Sequence, residues 1–282
     1  MLHVSGPSPV VKYWLVLYNL LSTLGWGYIL VQTVVHLLDL DGSATAVATN
    51  SQSAGTLSQL IKSLPFVKSS PYLKAALGLE KHLPAALVPL YRRAATTYAR
   101  VGVVTTAVQT CALLEVVHAA LGWVRSPIQT TAMQVASRLM LVWGITEQFP
   151  ESRTNPLFAS MVFAWSFTEV IRYSFYALNL LGMESDFLTY LRYTTFYVLY
   201  PLGAGSEAFL MYSTLPKSSP IPSFQSWTKG LWKPTDYVRG ALFLIWWPGL
   251  YVMYTYMIKQ RRKVLSPSAG KRLDGKKAIK EL

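Results

Sequence analysis

Apolar residues run along this chain in long blocks that charge breaks only at wide intervals. Six blocks approach or exceed the roughly 20 residues that a helix needs to cross a bilayer core: 13–38, 101–124, 128–146, 157–181, 187–214 and 237–258. The pattern predicts an all-α, polytopic membrane protein with six transmembrane helices. It divides the chain into a short N-terminus (1–12), a single membrane domain (13–258) and a basic tail (259–282). The first block is too long for the core of a signal peptide, so it is expected to stay as an anchor. Between the first two blocks lies an inserted loop, 39–100. Its first part is small and polar. Its second mixes apolar residues with Lys62, Lys68, Lys74, Lys81, Arg92, Arg93 and Arg100 and is cut by Pro65, Pro71, Pro84 and Pro89. That mixture predicts short interfacial helices with cationic faces, not a span.

Polar residues inside the blocks are the next signal. A charge at the centre of a membrane helix costs from roughly 3 kcal/mol to several times that, so each one asks for a partner or a task. Glu115 and His118 lie one turn apart in the second block and read as a structural pair. With four histidines in the chain, a metal-ligand set is the weaker reading. Arg138 falls mid-way through the third block, with Glu115 and Glu207 as candidate partners between which the sequence does not choose. Glu169 and Arg172 are spaced i, i+3 and read as a self-neutralising pair. Asn19 reads as an amide bonding across to a neighbouring helix.

The stretch LRYTTFYVLYPLGAGSEAFLMY, 191–212, concentrates these features. Tyr200, Pro201, Gly203, Gly205 and Glu207 fall within two turns. Proline and glycine weaken a helix that could have been left intact. Tyr200 and Glu207 are seven residues apart, which puts both on one side of a straight helix about 10 Å from each other. A kink at Pro201 is expected to bring phenol and carboxyl closer.

Composition supports the membrane reading. The 282 residues are 52% hydrophobic and 14% charged, against about a quarter charged for a soluble domain. Mean hydropathy is +0.30. The formal charge of +13 lies mostly in loops and tail. It suits anionic lipid or a phosphate-rich substrate, with no nucleic acid implied. One cysteine, Cys111, excludes an internal disulfide and a cysteine-rich metal site. Nine basic residues after the last block, Lys259 to Lys280, predict a cytosolic C-terminus. Six spans then put the N-terminus on the same side. The seven basic residues of the first loop oppose this, but long loops weigh less in the rule.

Four blocks of sequence resemble one known family in its order: YNLLSTLGWGYIL at 18–30, LLEVVHAALGWVRSPIQTTAMQVASRLMLVWGI at 113–145, AWSFTEVIRYSFY at 164–176 and LRYTTFYVLYPLGAGSE at 191–207. The chain resembles the 3-hydroxyacyl-CoA dehydratases of very-long-chain fatty-acid elongation, also called protein-tyrosine-phosphatase-like proteins. The resemblance covers 13–263 apart from the 39–100 loop. It implies six membrane helices in the endoplasmic reticulum, both termini cytosolic, and loss of water from a (3R)-3-hydroxyacyl-CoA to give the trans-2-enoyl-CoA. It implies as partners the elongase condensing enzyme, the ketoacyl reductase and the enoyl reductase. The family's functional tyrosine and glutamate fall on Tyr200 and Glu207. The phosphatase in the older name is not expected. A thiolate phosphatase needs an arginine six positions after its cysteine, and Cys111 is followed there by Val117.

Dehydration needs a base for the α proton and an acid for the departing hydroxyl, and a carboxylate with a phenol is a sufficient set. No cofactor and no metal are required. Glu207 as base with Tyr200 as acid, and the reverse, both remain open. Arg125 and Arg192 lie near the expected cytosolic face and are candidate clamps for the coenzyme phosphates, though both also suit ordinary interfacial anchors. Gly203 and Gly205 are expected to let the acyl tail approach the backbone. A transporter would also put Glu115, Arg138, Glu169 and Glu207 in the membrane, yet should show two related halves with paired broken helices. An inactive scaffold of the elongation complex is a third reading.

Overall fold

A computed structural model describes residues 8–42, 83–218 and 221–265. Of the expected interfacial segment 60–100, residues 60–82 lie outside the described residues, as does the tail from 266. Every regular element among those described is helical. In chain order these are α1 (Pro9–Leu38), a 3-10 turn (Ala85–Leu87), α2 (Val88–Ala94), α3 (Thr97–Cys111), α4 (Leu113–Ala120), α5 (Ile128–Leu139), a π-helix (Met140–Thr146), α6 (Pro150–Arg153), α7 (Leu157–Leu181), α8 (Asp186–Arg192), α9 (Phe196–Ser213), α10 (Phe224–Thr228) and α11 (Pro234–Leu265).

Among the described residues, three segments are long and apolar enough to cross a membrane: Pro9–Leu38, Thr97–Ala120 and Pro234–Leu265. The other blocks form helices but fall short of that criterion, and the reason is chemical. The third, fourth and fifth blocks carry Arg138, then Glu169 and Arg172, then Pro201, the two glycines and Glu207. Of these, Arg138, Glu169 and Arg172 come together in one cluster.

α1 shows why the bundle closes. Its buried positions include Leu15, Asn19, Trp26, Ile29, Thr33 and His36. Leu15, Ile29 and His36 fall on one seven-residue register and Asn19, Trp26 and Thr33 on another, a seam suited to side-by-side packing of helices. The other face exposes Leu17, Leu21, Leu24, Tyr28 and Val31. Such a long apolar face suits lipid and would be a liability in water. α1 packs on α7 and α3, α7 on α9, and α9 on α11. Gly25 permits the α1–α3 approach: a Cβ there would lie 3.1 Å from Val108. Trp26, Ile29, Leu141, Ile145, Met161, Val162, Leu210 and Met211 form the core.

Several expectations change. Asn19 does not bond across helices; its amide donates to the Leu15 carbonyl one turn back, at 2.6 Å. The fifth block does not break at Pro201. Its helix breaks earlier, at Tyr193–Thr195, between α8 and α9. There the Thr195 hydroxyl donates to the Leu191 carbonyl at 2.9 Å, an option that competes with regular helix. α9 runs through Pro201. The missing proline N–H would have paired with the Tyr197 carbonyl, and the Tyr254 hydroxyl of α11 donates there at 3.5 Å. The polar loops at 149–156 and 215–236 each contain a short helix, α6 and α10.

Candidate active site

α7 sets out the site. Trp165, Glu169, Arg172, Tyr173 and Tyr176 follow i, i+4, i+7, i+8 and i+11, which is one helical face. Arg172 donates through Nη1 and Nη2 to the two oxygens of Glu115, at 2.9 and 2.7 Å. Through Nε it donates to Glu169 at 2.6 Å. Arg138 donates to the other Glu169 oxygen, and the Tyr173 hydroxyl donates to Glu115. Arg138 also lies over the Trp165 ring, 5.1 Å from its centroid, a cation–π contact.

This settles two expectations against the sequence reading. The partner of Arg138 is Glu169, not Glu115 or Glu207. Glu115 is held by Arg172 and Tyr173, while His118 accepts from the Trp14 indole at 3.0 Å and stacks on Trp123. The Glu115–His118 hydrogen-bonded pair is therefore absent. The i, i+3 pair Glu169–Arg172 is present. Spacing along one helix shows intrahelical neighbours; it does not show which residue a second helix presents.

Tyr200, Gly203 and Glu207 form a stripe at i, i+3 and i+7 on α9. Gly203 is buried against α7, where a Cβ would lie 3.4 Å from that of Ala164 and 3.9 Å from the Trp165 ring. That close approach lets the Trp165 indole reach Glu207, donating to Oε1 at 2.6 Å. From the other side the Trp246 indole of α11 donates to Oε2 at 3.0 Å. Both indoles were missed by sequence reading. The available signals were the i, i+4 spacing of Trp165 and Glu169 and the run Trp246-Trp247-Pro248 in the sixth block. Tyr200 is half-buried and within electrostatic reach of both Glu207 and Arg138.

The electrostatics single out one group. The cluster has three carboxylates, Glu115, Glu169 and Glu207, against two guanidiniums. Among the described residues Glu207 carries no ion pair. Hydrogen bonds to a charged group contribute about 1.5–3 kcal/mol each. Two of them are comparable with the roughly 3 kcal/mol that a central charge costs.

The remaining candidates are dispersed. Gly205 faces open space. Arg192 ends α8, donates to the Tyr176 hydroxyl at 2.9 Å and lies over the Phe175 and Tyr176 rings. Arg125 is exposed in the turn before α5. An apolar groove of about 690 Å³ lies elsewhere, between Val103, Thr110, Leu114 and Trp143; neither Tyr200 nor Glu207 lines it. No group of three or more metal-binding side chains occurs among the described residues.

Comparison with known proteins decides the family. The profile described as "Protein tyrosine phosphatase-like protein, PTPLA" matches residues 109–267, more than half of the chain. The chain belongs to this family. A Schizosaccharomyces pombe member, a probable very-long-chain (3R)-3-hydroxyacyl-CoA dehydratase, is 46% identical over 166 residues, 58% of this chain and 75% of its own. The Caenorhabditis elegans member, very-long-chain (3R)-3-hydroxyacyl-CoA dehydratase hpo-8, is 36% identical over 273 residues, 93% of this chain and 99% of its own. Human very-long-chain (3R)-3-hydroxyacyl-CoA dehydratase 2 is 37% identical over 161 residues, 56% of this chain and 63% of its own. No solved structure matches. The PTPLA match contains α4 to α11 and so the whole cluster around Glu207. Cys111 is exposed at the end of α3, and Val117 stands six positions after it.

Proposed function

We propose that this protein is a very-long-chain (3R)-3-hydroxyacyl-CoA dehydratase, with Tyr200 and Glu207 as its acid–base pair. The observation that carries the residue assignment is the state of Glu207. It sits half-buried in an apolar bundle, bonded by two neutral donors and bound by no guanidinium. Structural carboxylates of the same cluster, Glu115 and Glu169, are tied to arginine. A carboxyl left out of that arrangement and set near a phenol suits proton transfer. Elimination of water from a 3-hydroxyacyl thioester needs two such groups and no cofactor.

In this reading the acyl-CoA enters from the cytosol and the thioester reaches inward on the pantetheine arm. Arg192 supplies a phosphate clamp. Its Nη1 is buried without a hydrogen-bond partner, a donor left over for an anion. Arg125 is a second clamp, and the open face at Gly205 takes part of the acyl chain. The protein lies in the endoplasmic-reticulum membrane with six spans and both termini cytosolic, and hands its enoyl product along an elongation cycle. The condensing enzyme, ketoacyl reductase and enoyl reductase are its partners there.

The test is conversion of a long-chain (3R)-3-hydroxyacyl-CoA by purified protein. Glu207→Gln and Tyr200→Phe should each remain folded and lower kcat by roughly a hundredfold or more, the upper part of the range for acid–base groups. Near-normal turnover by either variant removes that residue from the chemistry. Absence of turnover by the wild type removes the dehydratase reading and leaves a scaffold; solute flux in liposomes without turnover would indicate a carrier.

A further inference from the structure

The dehydratase reading leaves open which of the two groups is base and which is acid. We infer that the indoles of Trp165 and Trp246 decide it: they hold Glu207 as a carboxylate, which makes Glu207 the base and Tyr200 the acid. This inference rests on the reading above and adds to it two positioning residues.

The chemistry of the donor set carries the argument. An indole N–H donates and cannot accept. Both oxygens of Glu207 receive such a donor, Oε1 from Trp165 at 2.6 Å and Oε2 from Trp246 at 3.0 Å. A carboxylate uses both bonds fully. A neutral carboxyl group uses them poorly, because its hydroxyl oxygen is the weaker acceptor and its own proton needs an acceptor that neither indole provides. Donors aimed at the charged form favour the charged form. The guanidinium stacked on Trp165 belongs to Arg138, so positive charge lies behind the indole and adds to the same preference. Trp165 is fixed by burial and by the close α7–α9 approach at Gly203. Trp246 comes from a different helix, α11. The carboxylate is thus oriented from two sides before substrate arrives.

The step balances as follows. Glu207 takes the C2 proton, and the C2–H pair becomes the C2–C3 double bond. The C3–O bond breaks, and the departing oxygen takes the Tyr200 proton and leaves as water. The neutral Glu207 carboxyl and the Tyr200 phenolate then return to their starting forms by proton transfer.

A leaving group that needs no proton separates the two roles. In (3R)-3-fluoroacyl-CoA the same C2 proton is removed, but fluoride leaves as an anion. Tyr200→Phe should recover on this substrate to within about tenfold of wild type, while Glu207→Gln stays down by about a hundredfold or more. Trp246→Phe and Trp165→Phe keep an aromatic ring, though a smaller one, and lose the N–H. Each should lower kcat by about tenfold with KM within about twofold, on both substrates, because the defect lies with the base. Trp246 lies on the peripheral α11 and is half-buried, so that variant tests the point even where Trp165→Phe fails to fold. Fluoride rescue of Glu207→Gln, rescue of neither site variant, or cure of the Trp246→Phe defect by fluoride each overturns the assignment. None of these outcomes touches the dehydratase reading, which stands or falls on wild-type turnover of the hydroxy substrate.

Discussion

Glu169 holds two guanidiniums at once, Arg138 on one oxygen and Arg172 on the other. Its side chain is 3% exposed and those of the arginines 27% and 25%, so the carboxylate lies deeper in the bundle than its two cations. Removing one partner of a buried pair costs about 3–5 kcal/mol, and partial exposure of the arginines puts Glu169→Ala near the lower end. The variant should therefore unfold in detergent with a loss of about 3 kcal/mol, read by thermal or denaturant melting. Glu207→Gln should melt close to wild type, because it leaves no cation stranded. The contrast separates carboxylates that stabilise the bundle from the one proposed to act. A Glu169→Ala protein as stable as wild type would show that the network contributes little to the fold. At this scale the sequence was half legible. Residue types and intrahelical spacing exposed Tyr200, Glu207 and the Glu169–Arg172 pair as candidates. The partner of Arg138 and the two indoles were hidden, because they depend on how separate helices are rotated against each other.

At the scale of elements, α9 carries two glycines that look alike in sequence and differ in surroundings. Gly203 faces Ala164 and Trp165 of α7, while Gly205 faces open space. Gly203→Ala makes an ordinary contact at 3.4 Å and should be tolerated. Gly203→Leu must push α7 and α9 apart, draw Trp165 away from Glu207, and lower both melting temperature and kcat. Overpacking of this kind typically costs about 1–3 kcal/mol. Gly205→Ala has room and gains helix propensity worth up to about 1 kcal/mol, so its melting temperature should hold or rise. A fall in stability with Gly205→Ala, or none with Gly203→Leu, would contradict this placement of the stripe. Hydropathy found the helices because apolar blocks are long-range features that local chemistry seldom hides. α9 is continuous through Pro201, because proline near the start of a helix is cheap when another donor takes the freed carbonyl. The interruption falls instead at Tyr193–Thr195, where the Thr195 hydroxyl donates to the Leu191 carbonyl. The π-helix after α5 left no mark in the apolar pattern at all, since it keeps the same residues and changes only the turn.

At the scale of the whole molecule, lengths and charge determine how the chain should sit in a membrane. α1 has 30 residues and α11 has 32, or about 45 and 48 Å at the helical rise. Both exceed a hydrocarbon core of about 30 Å, so each must tilt or extend into the headgroups. The end of α11 carries Lys259, Arg261, Arg262 and Lys263, which favours leaving that end in anionic cytosolic headgroups. The three shorter blocks avoid exposing their ionic groups to lipid by turning them inward on one another. A helix that fails a hydropathy criterion can still span when its charges face a partner. The expected arrangement is six spans with both termini cytosolic. Glycosylation acceptors inserted in the 215–223 segment, between α9 and α10, should then be modified in microsomes. Acceptors fused to either terminus should stay unmodified and accessible to cytosolic protease. Modified termini with an unmodified 215–223 acceptor would invert the whole molecule, move the basic end of α11 to the lumen, and separate Arg192 from the compartment that supplies acyl-CoA. Opposite results at the two termini would mean an odd number of spans, and the network joining α5, α7 and α9 would then have to form without all three helices crossing.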